Sequence, residues 1–155
     1  MKKILVMHGP NINLTGKREP GQYGTTPFAQ MNEEFVAFAK ANDMDCDIFQ
    51  SNHEGELIDK LHASMGVYDG IVLNAGAYTH YSYALRDAIA AIELPVVEVH
   101  MSNVHKREEF RHHSVISPVC CGVICGFGKN SYILGISALK ELLFYEIYWN
   151  ISKNT

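Results

Sequence analysis

The sequence predicts an α/β fold in which a five-stranded parallel sheet carries helices on both faces. Short apolar runs, Ile4-Leu5-Val6-Met7, Ile71-Val72-Leu73 and Val96-Val97-Glu98-Val99, read as strands covered on both sides. Between them lie longer stretches whose apolar residues recur at helical spacing, so strand and helix patterns alternate from end to end. A length of 155 residues, 47% hydrophobic and 19% charged, suits one domain spanning residues 1–155 with a full core.

The first strand is expected at residues 3–7. The connection after it, residues 9–24, is long, because links from strand to helix usually run ~2–6 residues. Glycines 9, 16, 21 and 24 and prolines 10 and 20 give it hinges. Between them stand Asn11, Asn13, Lys17, Arg18, Glu19 and Tyr23, an assortment that a plain connector does not need. It reads as a catalytic lid without structure of its own.

The helix that follows opens at Thr26-Pro27, a cap residue and a first-turn proline, and sets Phe28, Met31, Phe35 and Phe38 on one stripe. Residues 45–49 alternate polar and apolar, as an edge strand does. Ser51 and Glu54 have capping-box spacing ahead of a helix carrying Leu57, Ile58, Leu61 and Met65. Residues 70–73 form the third strand. The next helix holds Leu85, Ala88, Ile89 and Ile92, with Asp87 among them. Residues 96–99 form the fourth strand, which runs through His100-Met101-Ser102-Asn103 into a charged loop ending at Arg111. Residues 122–125 form the fifth. A closing helix over residues 131–149 carries Ile136, Leu139, Leu143 and Ile147. The chain thus reads as five βα units.

Composition excludes several functions. A net charge of −4 argues against a nucleic-acid surface, which needs a clustered basic patch. The longest uncharged segment, residues 112–128, holds two His, a Pro and three Gly, unlike the ~20 apolar residues of a membrane span. Four apolar residues after Lys2-Lys3 fall short of the ~7–15 of a signal peptide, so the expected location is cytoplasmic. Cys46, Cys120, Cys121 and Cys125 match neither metal spacing nor a disulfide framework and are expected to act as small buried hydrophobes.

In open parallel sheets ligands bind beyond the carboxyl ends of the strands, where strand order reverses. The flavodoxin-like order 2-1-3-4-5 brings the loops after strands 1, 3 and 4 together. They carry Asn11, Arg18 and Tyr23; Asn74 and His80; and His100, Ser102, Arg107 and Arg111. A cationic, amide-rich rim on an acidic chain suits a small anion, a carboxylate. The loop is no P-loop, since six residues separate Gly9 from Gly16 and Arg18 stands where a Ser or Thr is required. No Gly-x-Ser-x-Gly elbow is present, and no lysine lies in an apolar strand. Singly, each candidate has a plainer reading: His100 as a core histidine, Tyr23 as a packing tyrosine, Asn74 as a turn residue, Arg107 and Arg111 as solvated charge, Asp87 as a surface residue or an intersubunit contact. The rival function is a non-catalytic flavodoxin-like module for a small anion or for regulation. The strand ends read His8-Gly9 and Asn74, however, where a phosphorylation receiver needs acidic residues.

Gly-Pro-Asn-Ile-Asn-Leu-Thr-Gly-Lys-Arg-Glu-Pro-Gly-Gln-Tyr-Gly at residues 9–24 resembles type II 3-dehydroquinate dehydratases. So do the segments 50–55, 74–80, 98–105 and 107–111, in register from about residue 3 to about residue 140. The resemblance implies a flavodoxin-like subunit, assembled as a dodecamer of trimers, that converts 3-dehydroquinate to 3-dehydroshikimate with no cofactor, metal or imine. It implies an anti elimination through an enolate, with Tyr23 as base beside Arg18 and His100 as acid. Asn74, His80, Asp87, Met101, Ser102 and Arg111 would bind substrate. A free tyrosine titrates near pH ~10, so a tyrosine base needs a close cation to stabilise its phenolate. Glu98 and His100, two apart on a strand, share a side, where the carboxylate can fix the imidazole tautomer. Asn11, or a water it holds, could serve the enolate oxygen. Thr15, Met101 and Cys120-Cys121 depart from the family pattern and touch no proton-transfer group.

Overall fold

The structure, a computed structural model, describes residues 1–145. Its strands are β1 (Lys2–His8), β2 (Met44–Gln50), β3 (Gly70–Asn74), β4 (Val96–His100) and β5 (Gly122–Cys125). All pair in parallel, in the order β2-β1-β3-β4-β5 that was expected. The helices are α1 (Pro20–Tyr23), α2 (Phe28–Ala41), α3 (Glu54–Ser64), α4 (Tyr83–Ile92) and α5 (Asn130–Tyr145).

Alternation along β1 divides the core in two. Ile4 and Val6 join Met31, Phe35 and Ala39 of α2 and Tyr132, Ile136 and Leu139 of α5. Leu5 and Met7 join Leu57 and Leu61 of α3 and Leu85, Ile89 and Ile92 of α4. Each fully buried aliphatic or phenyl side chain contributes about 1.5–3 kcal/mol. Helices thus cover both faces, while β2 lies at the edge with Asp45 and Asp47 exposed.

Strand register sets His8 beside Asn74, and His100 ends β4 on the same rim. The Gly9 N–H donates to the Asn74 carbonyl at 2.7 Å. A Cβ at Gly9 would stand 2.6 Å from the Ala75 oxygen, so glycine is required there.

Several local expectations fail. Residues 9–24 hold a 3-10 turn, Ile12–Leu14, and α1, each entered through a left-handed residue, Asn11 (φ 69°) and Glu19 (φ 36°). Pro27, not Thr26, caps α2, with no side-chain bond. The Ser51–Glu54 box does not form because α3 starts at Glu54 itself, with His53 as its cap. Ser51 Oγ accepts from the His53 N–H and donates to Glu56, and Glu54 accepts from Ser82 at 2.6 Å. The β4–β5 crossover holds no α-helix but three 3-10 turns, Val104–Lys106, Glu109–His112 and Ser117–Val119, since its polar run lacks an apolar stripe. Only four of the five expected βα units therefore exist. In the closing helix, Leu143 packs on the core, and Ile147 and Trp149 lie outside the described residues.

All four cysteines are free and half-buried rather than buried. Burial pushes the Cys46 thiol up to about 12 and that of Cys121 up to about 11, so both stay protonated at neutral pH. Among the described residues no helix is long and apolar enough to cross a membrane.

Candidate active site

The carboxyl ends of β1, β3 and β4 open into a shared pocket, where ligands of open parallel sheets bind. Its walls include Asn11, Arg18 and Tyr23 from the first connection, Asn74 and His80 from the loop after β3, and His100 with Met101, Ser102, Arg107 and Arg111 from the β4–β5 crossover. Ten residues singled out in the sequence therefore converge.

Tyr23 is only 9% exposed, and its hydroxyl accepts a 2.8 Å hydrogen bond from Arg107 Nη1. The same nitrogen lies 3.2 Å from Ser102 Oγ. Arg18 stacks on the ring, its Cζ 4.2 Å from the centroid, and Arg107 lies 5.2 Å from it. The sequence pairs Tyr23 with Arg18; the structure adds a second guanidinium, which makes the direct bond to oxygen. One guanidinium thus bonds to the phenol oxygen while the other lies over the ring. Arg107 Nε is buried with no protein partner among the described residues.

Facing this pair, His100 Nε2 lies 2.6 Å from Glu98 Oε2. A carboxylate only accepts, so Nε2 carries a proton and Nδ1 is the other ring nitrogen, without a protein partner among the described residues. Glu98, 1% exposed, lies behind His100 and off the pocket wall. Burial pushes its carboxyl up, but hydrogen bonds from His100, Ser117 and Ser114 outweigh this and hold it below the usual carboxylate range. His80 stacks on His100 with ring centroids 6.2 Å apart, and its Nδ1–H donates to the His113 carbonyl at 2.7 Å. Burial lowers the His80 pKa, and the charges of His100 and Arg111 lower it further, against the raising effects of His113 and Glu98.

Asn74 is oriented from beneath. Its Nδ2 donates to Tyr132 Oη at 2.9 Å and its Oδ1 accepts from the Gly76 N–H at 3.1 Å. Tyr132 in turn donates to His8 Nδ1 at 2.9 Å, and His8 Nε2–H donates to Asn32 at 2.8 Å. Burial lowers the His8 pKa to about 4. Asn11 takes its place through its backbone N–H, 3.0 Å from Asn52 Oδ1. Met101, 3% exposed, closes part of the wall. Arg111 Nε pairs with Glu108.

One expected substrate residue does not join them. Asp87 sits on α4 with its side chain 75% exposed, paired with Arg86 at 3.2 Å and outside this chain's pocket. Conversely, the Arg107 contact, the serines behind Glu98 and the His8–Tyr132 support were not legible. Each joins residues distant in the chain, 84 positions apart for Arg107 and Tyr23. The only available signal was the placement of Arg107 on the expected rim.

The family model described as dehydroquinase class II matches residues 2–140. A 3-dehydroquinate dehydratase of Ruegeria pomeroyi is 57% identical over 143 residues, 92% of this chain and 96% of that protein. One from Bacillus pumilus is also 57% identical, over 139 residues, 90% of this chain and 95% of its own. The crystal structure of a type II dehydroquinase from Butyrivibrio crossotus superposes with a TM-score of 0.87 at 47% identity, covering 89% of this chain and 97% of that one.

Proposed function

The chain belongs to the dehydroquinase class II family and is a 3-dehydroquinate dehydratase, and we propose that its reaction is an anti elimination through an enolate, without metal or imine. Tyr23, as phenolate, takes the C2 proton. The C2–H electron pair moves into an enolate on the C3 carbonyl, whose oxygen meets a donor at Asn11 or a water held there. His100 then gives a proton to the C1 hydroxyl as the C1–O bond breaks. The enolate electrons form the C1=C2 bond and water leaves. One proton is taken and one given, so the enzyme resets by returning the Tyr23 proton to His100 through solvent. Asn74, His80, Met101, Ser102 and Arg111 hold the substrate's carboxylate and hydroxyls.

The observation that carries this reading is the Tyr23 hydroxyl, bonded to Arg107 and lying under Arg18, across a pocket from a Glu98-backed His100. Positioned acids and bases each contribute about 10²–10⁴-fold. The non-catalytic, anion-binding reading is not favoured by the family match.

We also propose a cytoplasmic homo-oligomer, a dodecamer. Its support is the exposed apolar surface of Val123, Phe127 and Leu134 beside β5, which a partner copy would cover. Asp87 then serves as a substrate contact only for a neighbouring copy. Light scattering that returns a monomer of 17.4 kDa would remove both readings.

The test of function is direct. Purified protein given 3-dehydroquinate forms an ultraviolet-absorbing enone, undiminished by chelators or borohydride. Absence of that absorbance overturns the activity, and loss of it after either treatment overturns the mechanism.

A further inference from the structure

Residues 113–117 run from the end of one 3-10 turn to Ser117, the first residue of the next, with no assigned role in proton transfer. They nonetheless reach both imidazoles of the pocket, His80 directly and His100 through Glu98. His113 offers its carbonyl to His80 Nδ1 at 2.7 Å. Ser114 and Ser117 donate to one oxygen of Glu98, Oε1, at 3.0 and 2.6 Å. The other oxygen, Oε2, holds His100. Ser114 Oγ also accepts from the Ser117 N–H at 3.1 Å, so the two hydroxyls are mutually oriented. The run is tied down by the Val115 N–H to the Thr79 carbonyl at 2.9 Å, and Ile116 is fully buried.

We propose that Ser114 and Ser117 are positioning residues for the dehydration: they hold Glu98 ionised and aimed at His100, and so fix the proton that His100 delivers. This rests on the role assigned to His100 above.

His100 does most to keep the Glu98 carboxyl ionised, and the two serines supply the remaining donors. Glu98 is almost fully buried, which favours its neutral form. The titratable groups facing it are His100, His80 across the ring stack, and Cys120. His80 is lowered in pKa, chiefly by burial, and the Cys120 thiol is pushed up by burial, then by Glu98 and Cys121. Neither supplies positive charge at neutral pH. Without the serine hydroxyls, Oε1 keeps no donor among the described residues. A carboxyl that has lost two charge-assisted bonds titrates about one to two pH units higher. It then competes with His100 for the proton it is meant to organise.

The test uses the full chain with Ser114→Ala/Ser117→Ala and Ser114→Thr/Ser117→Thr, each compared with wild type. Glu98 is followed by carboxylate 13C NMR and activity by 3-dehydroquinate turnover against pH. In the alanine variant we expect the Glu98 midpoint to rise by about one unit or more and kcat to fall about tenfold with KM nearly unchanged. Threonine, which keeps the hydroxyl, restores both. An unmoved Glu98 midpoint in a folded alanine variant overturns the proposal, as does threonine that fails to rescue while Glu98 titrates normally. If wild type itself lacks turnover, the assigned activity fails instead, and the NMR titration still decides whether the serines hold Glu98.

Discussion

Two histidines end the strands that flank β3, His8 on β1 and His100 on β4, and their settings make them opposites. His8 is sealed, with 0% exposure, and both ring nitrogens meet neutral partners, Tyr132 and Asn32. Burial drives its pKa to about 4, so it stays uncharged and serves as a strut beneath Asn74. His100 is 7% exposed, lines the pocket and has a carboxylate at 2.6 Å. The same side chain at comparable strand ends is a sealed scaffold in one case and a carboxylate-backed group lining the pocket in the other.

The sharpest test of that contrast exchanges function for stability. His100→Ala is expected to lower kcat by about 10²–10⁴-fold with a folded chain, read by turnover and circular dichroism. Near-normal turnover would erase the distinction.

His8 predicts a dependence on acidity instead. Its folded pKa of about 4 lies below the ordinary 6.5, so the unfolded chain binds more protons between these values. Its stabilising contribution is therefore complete above pH ~6.5 and lost as pH falls through 4, a change approaching about 3 kcal/mol. Denaturant unfolding of wild type and His8→Asn at pH 7 and 4.5 reads it. The variant has the flatter slope, and equal slopes would show that His8 is not held neutral.

Arg107→Lys keeps a charge but loses the planar donor on Tyr23, and about 1.5–3 kcal/mol of transition-state stabilisation goes with it. That is about 10–10²-fold in kcat/KM, and an unchanged value would leave Arg18 as the sole support. Smallest is Tyr132→Phe, which strands the acceptor of His8 and a donor of Asn74 and costs about 1–3 kcal/mol of stability, measured by chemical unfolding. A cost near zero would mean that the buried chain of hydrogen bonds beneath Asn74 is dispensable.

Strand order was legible because β1, β3 and β4 carry short, mostly apolar runs, and that order alone told which loops share a rim. Tyr23, Arg18, Asn74, His80 and His100 follow from it. What escaped was set by contacts rather than spacing. Ser51 and Glu54 have the spacing of a capping box, yet Glu54 is drawn to Ser82 of α4. Arg107 and Arg111 look alike in a charged run, but only Arg107 reaches the phenol. His8 and His100 each follow apolar residues, and no local pattern separates an asparagine-faced ring from a carboxylate-faced one.

The contact at Gly9 constrains how such a protein can diversify. Its N–H meets Asn74, a Cβ there would collide with Ala75, and a Cβ at Gly76 would stand 3.1 Å from the Pro10 oxygen. The loops after β1 and β3 are therefore joined at their roots. An insertion in one would displace the other, so a graft intended to change substrate must transplant both loops together, and lineages can alter them only in concert.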